Sequence, residues 1–181
     1  MKRILLDACV LYPTVMREIL LGAAGAGLFQ PLWSARILEE WARAVARNLP
    51  DQADVARVEI ALLRAGWPDA EVVPDPALEA ELYLPDQSDL HVLAAAISGN
   101  AEILLTLNRG DFPTRTLGAR GILRRDPDGL MMDFWQDQPQ PVAAVCEAVR
   151  ARAELLSGQP QEIRALLKKA GLPRLGKVLA R

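Results

Sequence analysis

The sequence predicts an α/β fold: a central parallel sheet with helices on both faces, followed by a helical appendage at the C-terminal end. Three observations carry this prediction. Short apolar runs of strand length alternate with longer segments of helical period. The run Ile4-Leu5-Leu6 has the character of a buried strand that ends in an acid, Asp7. A proline-rich break, Gln138-Pro139-Gln140-Pro141, precedes a basic tail with helical patterning.

Taken in order, a strand is expected over 4–6, a helix over 15–26 and a short strand at 32–33. Ser34 then supplies an N-cap for a helix reaching Arg47. The segment 51–65 is helical, closed by Gly66 and Pro68. Val72 and Val73 mark a strand, and 89–98 a helix with Val92, Leu93, Ala96 and Ile97 inward, ended by Gly99-Asn100. Strands follow at 102–106 and 122–123. In the tail, Val142, Val145, Val149, Ala153 and Leu156 share one face, as do Ile163, Leu166, Leu167 and Ala170. The expected organisation is a domain over 1–137 and a basic helical extension over 138–181.

Composition narrows the function. With 181 residues, 51% hydrophobic and 24% charged, the chain is long enough to bury a core as one domain plus an appendage. A net charge of −2 excludes gripping polyanions through bulk charge, so any nucleic-acid contact must be local. Residues 1–139 carry 13 basic and 20 acidic side chains, net −7, whereas 140–181 carry 8 and 3, net +5. The tail therefore suits an RNA, an acidic partner or this chain's own acidic body. Cys9 and Cys146 form no CxxC pair, which argues against a disulfide framework or a cysteine zinc site and for a reducing cytoplasm. The longest apolar run, 19–29, has eleven residues and three glycines, against the roughly 20 that span a bilayer. Its small residues suit close helix approach, so an outside protein segment or a second copy is expected to cover it. Asp7 interrupts the apolar start too early for a signal peptide.

Ligands of parallel α/β folds collect at the carboxyl ends of strands, and acids fall there. Asp7 follows the first strand; Asp111 follows Leu107-Asn108 after the strand at 102–106; Asp89 opens a helix after a loop; and Glu39 or Glu40 lies on the helix after the second strand. Each alone reads as a cap or a solvated face. Gathered together, they would repel one another unless a hard divalent cation such as Mg²⁺ or Mn²⁺ offset the charge.

These residues carry a family resemblance. Leu6-Asp7, Ser34 through Glu40-Trp41, Asp86-Gln87-Ser88-Asp89-Leu90-His91-Val92-Leu93 and Leu105-Thr106-Leu107-Asn108-Arg109-Gly110-Asp111-Phe112-Pro113 resemble, in order and spacing, the PIN-domain family from about Lys2 to Trp135. The resemblance implies a three-layer α/β/α fold with Asp7, Glu40 and Asp89 as metal-holding acids. It further implies Mg²⁺ or Mn²⁺, an RNA substrate and, as in many small bacterial members, a toxin ribonuclease held by an antitoxin protein. Where the family often carries Asp, this chain has Asn108, as in a branch reading Thr-x-Asn-x-x-Asp-Phe-Pro. Asp111, three residues on, would share a face with Asn108 if the segment turns helically, and so could replace the missing charge.

The expected catalytic set is Asp7, Glu40, Asp89 and Asp111, with metal on Asp7, Asp89 and Asp111 and support from Thr106, Asn108, Asp86 and Ser34. Arg109 and Arg115 are the expected RNA contacts, because guanidinium forks match phosphate oxygens. A single histidine, His91, excludes a metal-free ribonuclease built on paired histidines. It stands about 200° round a helix from Asp89, which turns it away from the same ion. The chemistry expected is phosphodiester hydrolysis by a metal-activated water. The competing reading is a non-cleaving RNA- or protein-binding module whose metal site Asn108 has weakened. A homodimer is also expected.

Other motifs fall away. Gly171-Leu172-Pro173-Arg174-Leu175-Gly176-Lys177-Val178 copies most of a P-loop but lacks the Mg²⁺-binding Ser or Thr and is expected to be a helical connection. Asp126-Pro127-Asp128-Gly129 is expected to be a turn, and Cys9 an inert buried thiol.

Overall fold

The computed structural model describes residues 1–180. Five strands, β1 (Arg3–Leu6), β2 (Gln30–Ser34), β3 (Glu71–Val72), β4 (Ile103–Leu105) and β5 (Leu123–Arg125), form one parallel sheet in the order β3-β2-β1-β4-β5, flanked by helices. β1 is central because it has no polar face to offer to water. Ile4, Leu5 and Leu6 are fully buried, and Leu5 pairs with Leu32 on one side and Leu104 on the other. The chain steps outward from β1 to β2 and β3, then returns to lay β4 on the other edge of β1. Strand order therefore reverses between β1 and β4, the point beyond whose carboxyl ends such sheets bind ligands. Asp7 leaves β1 there and Thr106 leaves β4. The Asp7 N–H donates to the Leu105 carbonyl at 3.1 Å and ties the two strand ends together.

The chain divides into two compact units, Met1–Tyr12 with Gln30–Arg124, and Pro13–Phe29 with the chain from Arg125 onward. The first holds the sheet together with α1 (Ala8–Leu11), α3 (Ala35–Asn48), α4 (Ala53–Gly66), α5 (Pro76–Glu81), α6 (Leu90–Ser98) and α7 (Thr114–Gly118). Ser34 caps α3 as its sequence position predicts, its Oγ accepting from the Ile37 N–H at 3.3 Å. The buried stripe of α3 is Ile37, Leu38, Trp41, Ala42 and Val45. Two helix starts differ from expectation. Pro50–Gln52 forms a separate 3-10 turn before α4, and Gln87–Asp89 another before α6. The second arises because the Asp86 carboxylate accepts from the Ser88 N–H at 2.8 Å and tightens the chain there. The last strand runs over Leu123–Arg125 rather than 122–123, registered by the Leu123 N–H on the Glu102 carbonyl at 2.9 Å.

The second unit is helical: α2 (Thr14–Gly25), α8 (Pro127–Asp137), α9 (Pro139–Ser157), α10 (Ile163–Lys169) and α11 (Pro173–Leu179). Here the apolar run after Glu18 meets its own chain instead of an outside partner. α2 packs on α9 so closely that a Cβ on Gly22 would come within 2.6 Å of Val145 Cγ1. Phe29 stacks on Phe134 at 5.8 Å between ring centroids. The proline-rich break shrinks to one residue, Gln138, because Pro139 and Pro141 lie in the first turn of α9, where a missing N–H costs nothing. The expected stripe of α9 ends before Leu156, which is exposed.

Asp126-Pro127-Asp128-Gly129 is a helix start and not a turn. Asp126 accepts from the Gly129 N–H at 2.8 Å, while Asp128 receives the backbone N–H groups of Arg174 and Leu175, both at 3.1 Å, and so caps α11 from another helix. The P-loop lookalike is a helical connection, with Gly171 at φ +80 leaving α10 and Pro173 opening α11.

Candidate active site

Asp7 is buried at the end of β1, and its Oδ2 accepts from Thr106 Oγ1 at 2.6 Å and from Cys9 Sγ at 3.1 Å. Thr106 Oγ1 in turn accepts from the Asn108 N–H at 3.0 Å, so one hydroxyl orients the first acid and shapes the loop after β4. Asp7 precedes α1 and Asp89 precedes α6, yet neither side chain makes a capping bond. The simplest structural use of an acid at these positions, capping a helix, is thereby unfilled at both. Asp86, by contrast, is spent on Ser88, accepting from its N–H and, at 2.7 Å, from its hydroxyl.

Asp86, Asp89 and Asp111 each bring a carboxylate oxygen within 4.8 Å of the others. Between two of them lies the Asn108 amide, whose Nδ2 donates to Asp111 Oδ2 at 2.5 Å and reaches Asp89 Oδ2 at 3.4 Å. Asp111 therefore stands at the acidic cluster, as the three-residue spacing from Asn108 suggested. Asp7 is outside that closest trio, held to Thr106 and Cys9, but its charge still acts on Asp89. Partial burial, then the charges of Asp7, Asp86, Asp111 and Glu40, push the Asp89 carboxyl up to about 6. Asp86 moves the other way, held below its ordinary value by the Ser88 hydroxyl and N–H.

The two glutamates separate. Glu39 pairs with Arg43 at 3.1 Å along the face of α3, whereas Glu40 Oε1 lies 2.7 Å from His91 Nε2 and 3.9 Å from Arg36 Nε. Glu40 is thus the glutamate whose charge reaches Asp89. Ser34 is buried as the α3 cap. Arg109 and Arg115 are exposed. Arg124 has a bracing role, its Nη1 donating to the carbonyls of Arg109 and Phe112, each at 2.7 Å.

The donor set suits a hard divalent cation. It is all oxygen, it converges, and its central carboxyl is held at a raised pKa by mutual repulsion that a cation would remove. The sequence model of the PIN domain matches residues 3–110, more than half of the chain. The chain belongs to the PIN-domain family. PIN domains are generally nucleases and typically use divalent metal ions, and the matched region includes Asp7, Glu40, Asp86, Asp89, Thr106 and Asn108. No curated protein and no solved structure matches the chain. No helix among the described residues is long and apolar enough to cross a membrane.

Three residues of this PIN domain's site escape sequence reasoning. Cys9 is half-buried, and burial followed by the Asp7 charge pushes its thiol up to about 12, so it serves as a protonated donor to Asp7. His91 faces Glu40, a residue 51 positions away, which spacing along the chain does not reveal. Arg36 reaches Glu40, Glu79 and, at 3.5 Å, the Ser88 carbonyl, tying α3 to α5 and to the acidic loop. Only Cys9 had a local signal, lying two residues past Asp7 where the first turn of a helix folds back.

Proposed function

We propose that this PIN domain is a metal-dependent endoribonuclease that hydrolyses RNA phosphodiester bonds with Mg²⁺ or Mn²⁺. The observation that carries the reading is the raised Asp89 carboxyl among four other acids, an arrangement that is unfavourable without a cation. Asp89 and Asp111 would hold the ion, with Asp7 and Asp86 as the further carboxylates. When bound, the ion would supply charge stabilisation to the phosphate oxygens and acidify a water. Thr106 and Cys9 keep Asp7 ionised and oriented. Asn108 spaces Asp89 from Asp111, and Glu40, steered by His91, is the carboxylate that takes up a proton from the incoming water. Arg109 and Arg115 would meet phosphates on either side of the cut.

The motif Thr106-Leu107-Asn108-Arg109-Gly110-Asp111-Phe112-Pro113 supports the finer reading of a toxin controlled by an antitoxin protein, acting in the cytoplasm as a homodimer. The partner would bind elsewhere than on α2, which α9 covers. Incubation with structured RNA and Mn²⁺, with an equal mass of DNA in competition, tests the activity. Cleavage of RNA alone supports the proposal, and cleavage confined to DNA overturns the substrate.

A further inference from the structure

Beside the acidic loop lies a cavity of about 300 Å³ in the same unit, at the carboxyl ends of β2 and β3. It is mostly apolar, walled by Val72, Pro74 and Pro76, with Arg36, Glu79 and His91 as its polar groups. His91 is 1% exposed, and its Nδ1 has no hydrogen-bond partner, a costly state for a buried polar atom unless a ligand supplies one. At the rim, Arg36 Nη1 meets Glu79 Oε1 at 3.3 Å, and both side chains are partly exposed. The cavity is joined to the proposed catalytic site twice. Arg36 Nη2 reaches the carbonyl of Ser88, between Asp86 and Asp89, and His91 holds Glu40.

We infer that this cavity is a guanine-binding pocket that selects the base next to the cleaved phosphate, a deepening that rests on the ribonuclease reading above. The size and flat apolar walls suit one planar ring. The polar groups select which ring. A carboxylate accepts two parallel N–H donors from guanine N1 and N2, an edge no other RNA base presents, and Arg and His nitrogens donate to O6 and N7. Glu79, Arg36 and His91 are that complement. Single-stranded RNA is commonly read in this way, with the base splayed out and bonded along its edges.

The test is a two-dimensional NMR titration of the metal-free full chain, in chelator, with guanosine, adenosine, cytidine and uridine, alongside Glu79→Gln. Glu79 is a rim residue whose change leaves the core intact. Guanosine is expected to bind about ten-fold more tightly than the other three, with the preference falling to about two-fold in Glu79→Gln. Mapped cleavage sites are expected to flank G. Equal binding of all four nucleosides, or a guanosine preference untouched by Glu79→Gln, overturns the pocket. Guanosine selectivity without metal-dependent cleavage would sustain the pocket and reject the ribonuclease reading. Metal-dependent cleavage without guanosine selectivity would do the reverse.

Discussion

The Asn108 side chain donates to Asp111 across 2.5 Å and reaches Asp89 at 3.4 Å, so a neutral amide stands where two carboxylates would otherwise face each other. It offsets part of the repulsion that a bound cation would remove. Asn108→Asp replaces that donor with a further acid. The metal-free protein is expected to lose about 1–2 kcal/mol of stability, and its affinity for Mn²⁺ to rise several-fold. Thermal melts in chelator and calorimetric titration with Mn²⁺ check both signs.

Asp89 makes the pH dependence explicit. Its folded-state carboxyl sits at about 6, above the ordinary 3.8. The folded state therefore holds the proton more tightly than the unfolded one. The associated stability is fully present below about 3.8 and is lost as pH rises through about 6. Asp89→Asn is expected to stabilise the metal-free protein at pH 7.5 by about 1 kcal/mol, since the group is largely exposed and solvent screens most of the nominal value. In the native protein Mn²⁺ binding should weaken as pH falls through about 6, when a proton competes for the carboxylate. Melts and titrations at pH 7.5 and 5.5 read these effects.

Much of the frame is legible in the chain because its signals are local. Apolar runs mark β1 and β4, Ser34 marks the start of α3, and an acid after each central strand marks where ligands gather. What escapes depends on contacts between distant residues. Gly22 and Val145 lie 123 positions apart, so the covering of α2 by α9 leaves no trace in the period of either helix. Asp128 looks like part of a turn until α11 lays its N-terminus on it. At the site, the sequence singles out Asp111 through its spacing from Asn108 but favours Asp7 over Asp86 for the closest group. Rank in that group depends on how the 3-10 turn at Gln87–Asp89 swings Asp86 round, which spacing alone does not encode.

Thr106 links two strand ends through one hydroxyl, donating to Asp7 and accepting from the Asn108 N–H. Thr106→Val keeps the shape and removes both bonds. A loss of about 1–3 kcal/mol is expected, with metal-dependent activity reduced at least ten-fold. Thr106→Ser should restore most of the activity, which separates the hydroxyl from the packing.

In the helical unit, Asp128 is buried and receives two backbone N–H groups of α11 as well as Arg174 Nε at 3.2 Å. Asp128→Ala leaves those donors without an acceptor. The cost is expected to be about 2–3 kcal/mol, with amides of α11 exchanging faster than those of α9 by hydrogen exchange.

The central claim is that Asp89 anchors a divalent cation used to cut RNA. The direct measurement is RNA cleavage by the purified full chain with Mn²⁺, beside a chelated sample and an Asp89→Asn variant whose folding is confirmed by its melt. The account predicts cleavage with Mn²⁺ and its loss in both controls. Cleavage that persists in chelator or in the variant, or a native chain that neither cleaves RNA nor binds Mn²⁺ by calorimetry, contradicts it.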